Sequence, residues 1–144
     1  MDGFSCDLVS GGRDLAGAFN VRRQVFVVEQ NIPPALVFDE LDNEALHVVA
    51  RQGIEIIGSA RARLLNVRQA KIERMAVLRH FRGRGVGTSI TSFIIGELKS
   101  RKVERVFLHA QCEVAAFYRV CGFEKIGLSF LEAGIKHIRM QKEL

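Results

Sequence analysis

Between residues 70 and 98 the chain changes its apolar period across a run of glycines. "AKIERMAV", residues 70–77, reads as a strand. From Val86 onward the apolar residues Val86, Ile90, Phe93, Ile94 and Leu98 fall on one helical face. Gly83, Gly85 and Gly87 lie between the two patterns, interleaved with Arg82, Arg84 and Val86. A strand that passes through glycines straight into a helix belongs to a layered α/β protein. It also makes a particular kind of turn. The first-turn amides of a helix have no internal acceptor and stand at the positive end of the helix dipole. Glycines let backbone there approach a ligand closely, so the turn is suited to phosphate. Arg82 and Arg84 add positive charge.

Two common phosphate-binding turns do not fit. The nucleotide-hydrolase loop needs a lysine before its Ser or Thr, and here Thr88 and Ser89 follow Gly87 directly. The dinucleotide fingerprint needs glycines at positions 1, 3 and 6 and an acid ending the next strand. Here the glycines fall at 1, 3 and 5, and "VFLHAQ" is neutral.

The remaining pattern fills in the layers. "FSCDLV" reads as a short first strand. A helix follows, with Asp14 as its expected N-cap and Leu15, Phe19, Val21, Arg22, Val25 and Phe26 at near-helical spacing. Pro33 and Pro34 end it. "ALVFDELDNEA" is an irregular acidic loop, expected to be solvated. "LHVVA" and "IEIIGSARARLL" form a hairpin about Gln52 and Gly53, and "AKIERMAV" continues a meander. After the glycine turn and its helix come a strand "ERVFLHA" and a short helix carrying Val114, Phe117, Tyr118 and Cys121. Gly122 caps that helix, and "FEKIG" and "KHIRMQK" are closing antiparallel strands. The expected fold is a single mixed α/β (α+β) domain over residues 1–144: a mostly antiparallel sheet with helices on both faces.

Composition narrows the partners. Net charge is +5, which favours anionic ligands without choosing among them. The three cysteines, Cys6, Cys112 and Cys121, are odd in number and lack zinc spacing, so they read as reduced thiols of a cytoplasmic protein with no metal. The first residues lack a signal-peptide pattern, and no window nears 18 uninterrupted apolar residues, so no membrane partner is expected.

Arg82-Gly83-Arg84-Gly85-Val86-Gly87 matches Gln/Arg-x-x-Gly-x-Gly/Ala, and here the chain resembles the GCN5-related N-acetyltransferase (GNAT) superfamily. "IERMAV" resembles that family's splayed fourth strand. "AAFYRVCGF" resembles its A-x-x-x-Tyr-x-x-x-Gly-Phe helix-to-strand element. The likeness covers about residues 70–125 and is faint over the N-terminal 45. It implies a GNAT-like acyl-CoA N-acyltransferase fold with a splayed parallel strand pair. It implies acetyl-CoA (coenzyme A) as co-substrate, a small-molecule or peptide amine as acceptor, and a homodimer as one option for assembly.

The same resemblance assigns candidate residues. Arg82, Gly83, Arg84, Gly85, Val86, Gly87 and Thr88 would hold the pyrophosphate. Met75, Ala76 and Val77 would present backbone to the pantetheine arm and the thioester oxygen. Tyr118, the chain's only tyrosine, would protonate the departing thiolate. The amine must lose a proton, since a lysine-like amine is neutral in only roughly one molecule per few thousand at pH 7. Glu73, two residues before Met75 and so expected on the same strand face, is the first choice of base. His109, at the end of the next strand, is the second, because a histidine's ordinary pKa suits the work. Gln111 stands where many members carry a cofactor-contacting Asn, and Val114 where they carry Ala. In the family's layout Glu29 and Gln30 line the same cleft, and the acidic cluster at 38–44 could draw in a cationic amine.

Two other functions fit some of these residues. An acyl-CoA sensor without turnover would share the glycine turn. A nucleic-acid module would use the +5 charge, but the phenylalanines fall at core-like positions and the basic residues form no stripe, so no nucleic acid is expected.

Overall fold

The computed structural model describes residues 3–144. Seven strands form one sheet: β1 (Ser5–Leu8), β2 (Leu46–Gln52), β3 (Glu55–Leu64), β4 (Gln69–Val77), β5 (Arg105–Gln111), β6 (Glu124–Glu132) and β7 (Ile135–Glu143). Their order across the sheet is β1-β2-β3-β4-β5-β7-β6, and only β4 and β5 run parallel. The parallel crossover is α2 (Val86–Ser100). The other helices are α1 (Gly12–Arg22) and α3 (Ala115–Val120). No helix among the described residues is long and apolar enough to cross a membrane.

Alternation along the strands divides the sheet into two unlike faces. One face carries Val48, Ala60, Ala62, Ala70, Ile72, Val106, Leu108, Ile138 and Met140, all buried against α2 and α3. From α2 the residues Val86, Ile90, Ile94 and Leu98 complete this core, as the helical period requires. The small side chains of β3 let α2 sit close. A Cβ on Gly58 would lie 2.9 Å from Ile90 Cδ1. The other face is covered over β2, β3 and β4 by α1 and the turn after it, through Val21 and Val25 against Ala76. Over β5, β7 and β6 that second face is left uncovered by helix and carries His109, His137 and Arg139.

Three local expectations change. Gly11, with extended backbone, is the N-cap of α1; Asp14 sits in the first turn, where a carboxylate also favours the dipole, and binds Arg51 at 2.9 Å. The helix does not run on as α to Phe26. It widens at Arg23 into a π-helical turn, Arg23–Glu29, and Gln30 N–H donates to Val25 C=O at 3.2 Å. The acidic loop is not a solvated coil. It makes 3₁₀ turns at Pro34–Leu36 and Glu40–Asn43 and is held down by arginines, as described below.

Candidate active site

The parallel pair opens into a V. β4 and β5 are joined only from Gln69↔Arg105 to Ile72↔Leu108. Beyond Ile72 the β5-facing edge of β4 has no strand beside it. Leu78 N–H donates to Ile57 C=O at 2.9 Å, so by strand alternation the peptide groups of Val77 face away from β3, into the opening. β4 also contains a bulge. Ser59 pairs with Ala76 and Arg61 with Glu73, so Arg74 and Met75 stand opposite Ala60 alone, and Arg74 has φ 59°. The extra residue breaks the period of two. Glu73 and Ala76 face α1, whereas Met75 and Val77 pack against the α2 core, so Glu73 and Met75 do not share a face.

The glycine turn abuts this opening. Gly83 (φ 77°) and Gly85 (φ 84°) are in the left-handed region that favours glycine, and Gly85 is the N-cap of α2. The first bond of the helix is Ser89 N–H to Gly85 C=O, 3.0 Å. Among the described residues the amides of Gly83 through Thr88 find no acceptor in the protein. Arg82 N–H, by contrast, donates to Arg79 C=O at 3.3 Å. The result is a row of free donors at the positive end of a 15-residue helix.

The arginines of this turn do not join that row. Arg82 donates two hydrogen bonds to the Glu29 carboxylate, at 2.7 and 2.8 Å, and one to Val77 C=O at 2.9 Å. Its hydrogen bond holds the Glu29 carboxyl below the usual range. Arg84 lies over the Phe81 ring, 5.5 Å from its centroid, and stands off the cleft wall. Gln30, next to Glu29, accepts from Gln111 Nε2 at 2.8 Å. The π-helical turn therefore reaches both arms of the V, through Glu29 to the glycine turn and through Gln30 to β5.

Tyr118 approaches from α3. It is nearly buried, packed edge-on to Phe117 (4.9 Å) and Phe123 (5.9 Å). Burial, with the nearby Cys121, pushes its phenol well above the ordinary tyrosine value, so it holds its proton at neutral pH. Gly87 packs under the Phe117 ring; a Cβ there would lie 3.2 Å from Phe117 Cζ. This contact docks α3 beside the start of α2.

Glu73 is differently placed from the expectation. Its carboxylate accepts from Arg61 Nε (3.0 Å) and Arg63 Nε (2.6 Å), and Lys71 Nζ is 3.2 Å away. Burial works against its charge. The Arg63 hydrogen bond and the charges of Arg61 and Lys71 outweigh burial and hold the carboxyl at about 2. A carboxylate so stabilised is a poor base at neutral pH, and its role here is as an anchor for arginines. Arg61, fully buried, is the hub: it also binds Asp39 at 2.6 Å and Asp42 at 2.9 Å. Arg22 grips Asp42 through two bonds of 2.9 Å, and Arg74 reaches Asp39 at 3.2 Å and Val37 C=O at 2.9 Å. The acidic cluster is thus spent on the fold and offers Asp39 and Asp42 to no incoming cation.

These elements enclose one cleft of about 820 Å³. It is lined by Tyr118, Glu73, His109, Gln111, residues 75–77 and the glycine turn apart from Arg84. His109 Nδ1 lies 3.0 Å from Glu132 Oε1 on the uncovered wall. Sequence reading missed Glu132, Phe130 and His137 on that wall. The alternation Phe130-x-Glu132 before an Ala-Gly turn is the signal that could have found the first two.

The chain is similar to known proteins along nearly all its length. The family model "Acetyltransferase (GNAT) domain" matches residues 18–144. A Bacillus subtilis (strain 168) protein described as an uncharacterized N-acetyltransferase, YjcF, is 36% identical over 130 residues, covering 90% of this chain and 92% of that one. The crystal structure of Escherichia coli ElaA superposes with a TM-score of 0.86 at 26% identity, over 99% and 100% of the two chains. A GNAT family acetyltransferase from Elizabethkingia anophelis, solved with acetyl-CoA bound, shares the fold at TM-score 0.79 and 16% identity, over the full length of both.

Proposed function

Because the chain belongs to the GNAT acetyltransferase family, we propose that it moves an acetyl group from acetyl-CoA to a primary amine by direct attack on the thioester. The observation that carries this reading is the row of unmet amides at Gly83–Thr88 opening onto the unpaired edge of β4. A diphosphate fits the first, and an amide-bearing arm fits the second as an added strand. The backbone of Met75–Val77 then lies along the arm, with donors for the oxygen that gains charge in the transition state. Gln111, like Glu29 and Gln30, borders the cofactor's path.

The proton balance uses two side chains. His109 takes one proton from the acceptor ammonium, which frees the nitrogen lone pair. Nitrogen attacks the carbonyl carbon, the carbon–sulfur bond breaks, and Tyr118 gives its proton to the departing thiolate. The second nitrogen proton leaves to solvent and Tyr118 is reprotonated from solvent. Tyr118 is placed for this task because it lines the cleft and keeps its phenol protonated at neutral pH.

The test is thiol release from acetyl-CoA over a panel of amines, alongside calorimetric binding of coenzyme A. Binding with amine-dependent thiol release is expected. Tyr118→Phe should lower kcat by about 100-fold while coenzyme A affinity stays within about twofold. Binding with no release to any amine would mark an acyl-CoA sensor instead.

A further inference from the structure

The uncovered face of β5, β7 and β6 carries a side-chain arrangement that the transfer reaction has not yet used in full. His109 alternates with the core residues Leu108 and Ala110, so its ring stands on the open face of the sheet. Glu132 Oε1 lies 3.0 Å from His109 Nδ1. Phe130, two residues earlier on β6, meets the same imidazole edge-on at 4.9 Å and 76°. His109 and Glu132 line the cleft that holds Tyr118 and the glycine turn.

We propose that Glu132 is a positioning residue that fixes His109 as the base; this rests on the acetyl-transfer reading above. An ionised carboxylate only accepts, so the contact requires the hydrogen to sit on Nδ1. A neutral imidazole has a single N–H, and Nε2 is then left with a lone pair. Phe130 closes one side of the ring and opposes its rotation. When Nε2 takes a proton from the acceptor ammonium, the new imidazolium is formed against the Glu132 negative charge. His109 is 25% exposed, which lets that proton pass on to water.

The local sequence holds Glu132 in place. Ala133 (φ 53°) and Gly134 (φ 75°) are the two central residues of a hairpin turn, and Glu132 pairs directly with Ile135 across it. The other charged groups nearby are accounted for. His137 donates from Nδ1 to Ile135 C=O at 2.8 Å, and its Nε2 is 3.7 Å from Glu132 Oε2, too far to compete for the carboxylate. Arg139, opposite His109 in the ladder, lies over the Phe107 ring at 4.3 Å. Lys71 and Glu73, across the V on β4, are tied to each other. Among the described residues no three His, Cys, Asp or Glu side chains converge as metal ligands.

The experiment is a long-range proton–nitrogen spectrum of the full chain labelled on histidine nitrogen, paired with steady-state kinetics. Wild type should show His109 as the Nδ1–H tautomer. Glu132→Ala should shift it to Nε2–H and lower kcat by about 100-fold, with KM for acetyl-CoA within about twofold. Glu132→Gln, whose amide oxygen can still accept from Nδ1–H, should restore the tautomer and part of kcat. If wild type turns over and Glu132→Ala leaves both tautomer and kcat unchanged, the positioning role is refuted alone. If wild type transfers acetyl to no amine, the functional reading fails, and the base with it.

Discussion

Two charge-rich stretches of this molecule look alike on paper and behave in opposite ways. Residues 38–44 carry four acids and residues 79–84 three arginines, so each invites an ion of the other sign. In the first, Asp39 and Asp42 are met by Arg22, Arg61 and Arg74. In the second, Arg82 is consumed by Glu29 and Arg84 stands off, while the backbone amides that carry no formal charge are left unmet. The proposed site therefore rests on groups whose partners are missing, not on the charges counted along the chain. Formal charge locks the fold in one place, and in the other the partial charge on peptide N–H groups is left unanswered by the protein.

The largest expected effect falls on the locked region. Arg61→Ala leaves Glu73, Asp39 and Asp42 facing one another without their common cation. Urea unfolding should register a loss of about 3–5 kcal/mol, the scale for breaking a buried pair from one side. A loss under about 1 kcal/mol would mean that the network is solvated after all. Gly85→Glu attacks the other region. It puts a side chain at φ 84° and a negative charge at the helix N-terminus, and should weaken coenzyme A binding by roughly 30-fold or more. Stability should change far less than in Arg61→Ala.

Smaller effects sharpen the contrast. Glu29→Gln removes the acid that occupies Arg82 and frees its guanidinium for phosphate, so calorimetry should show coenzyme A binding tighten by about fivefold, the scale of an exposed ion pair. Weaker binding would show that the Glu29–Arg82 pair shapes the site instead of competing with it. The acid limb of stability gives a further check. Asp39, held down first by the Arg61 hydrogen bond, and Glu73 both lie at about 2 in the folded chain, below their ordinary 3.8 and 4.5. A depressed folded value gives stability that is present above about 4.5 and is lost as pH falls toward 2. Wild type should lose stability steadily over that window, and Arg61→Ala should lose less there, because the part that Asp39 contributes is already gone while Arg63 and Lys71 still hold Glu73.

The sequence carried the α2 core, the meander and the glycine turn because each is written in local period: Val86, Ile90, Ile94 and Leu98 in helical steps, Ala60 and Ala62 in strand steps, Gly83 and Gly85 where φ is positive. Pairings made across the fold were not legible. Arg61 alternates with Ala60 and Ala62 like an outward strand residue, yet it is fully buried because its acids arrive from a loop about 20 positions away. The bulge at Arg74 left no mark, since arginine gives no sign of a left-handed backbone, and it moved Glu73 off the face of Met75. Likewise the second half of β6 hid behind exposed Leu128 and Leu131, and with it Glu132.

Coenzyme A binding is expected to rest on the six amides at the start of α2, and a proton–nitrogen spectrum titrated with coenzyme A reads them directly. The amides of Gly83 through Thr88 should shift most and gain protection from exchange, while those of Asp39 through Asn43 stay in place. Saturable binding that leaves residues 83–88 unmoved, or that perturbs the acidic loop in their stead, would contradict it.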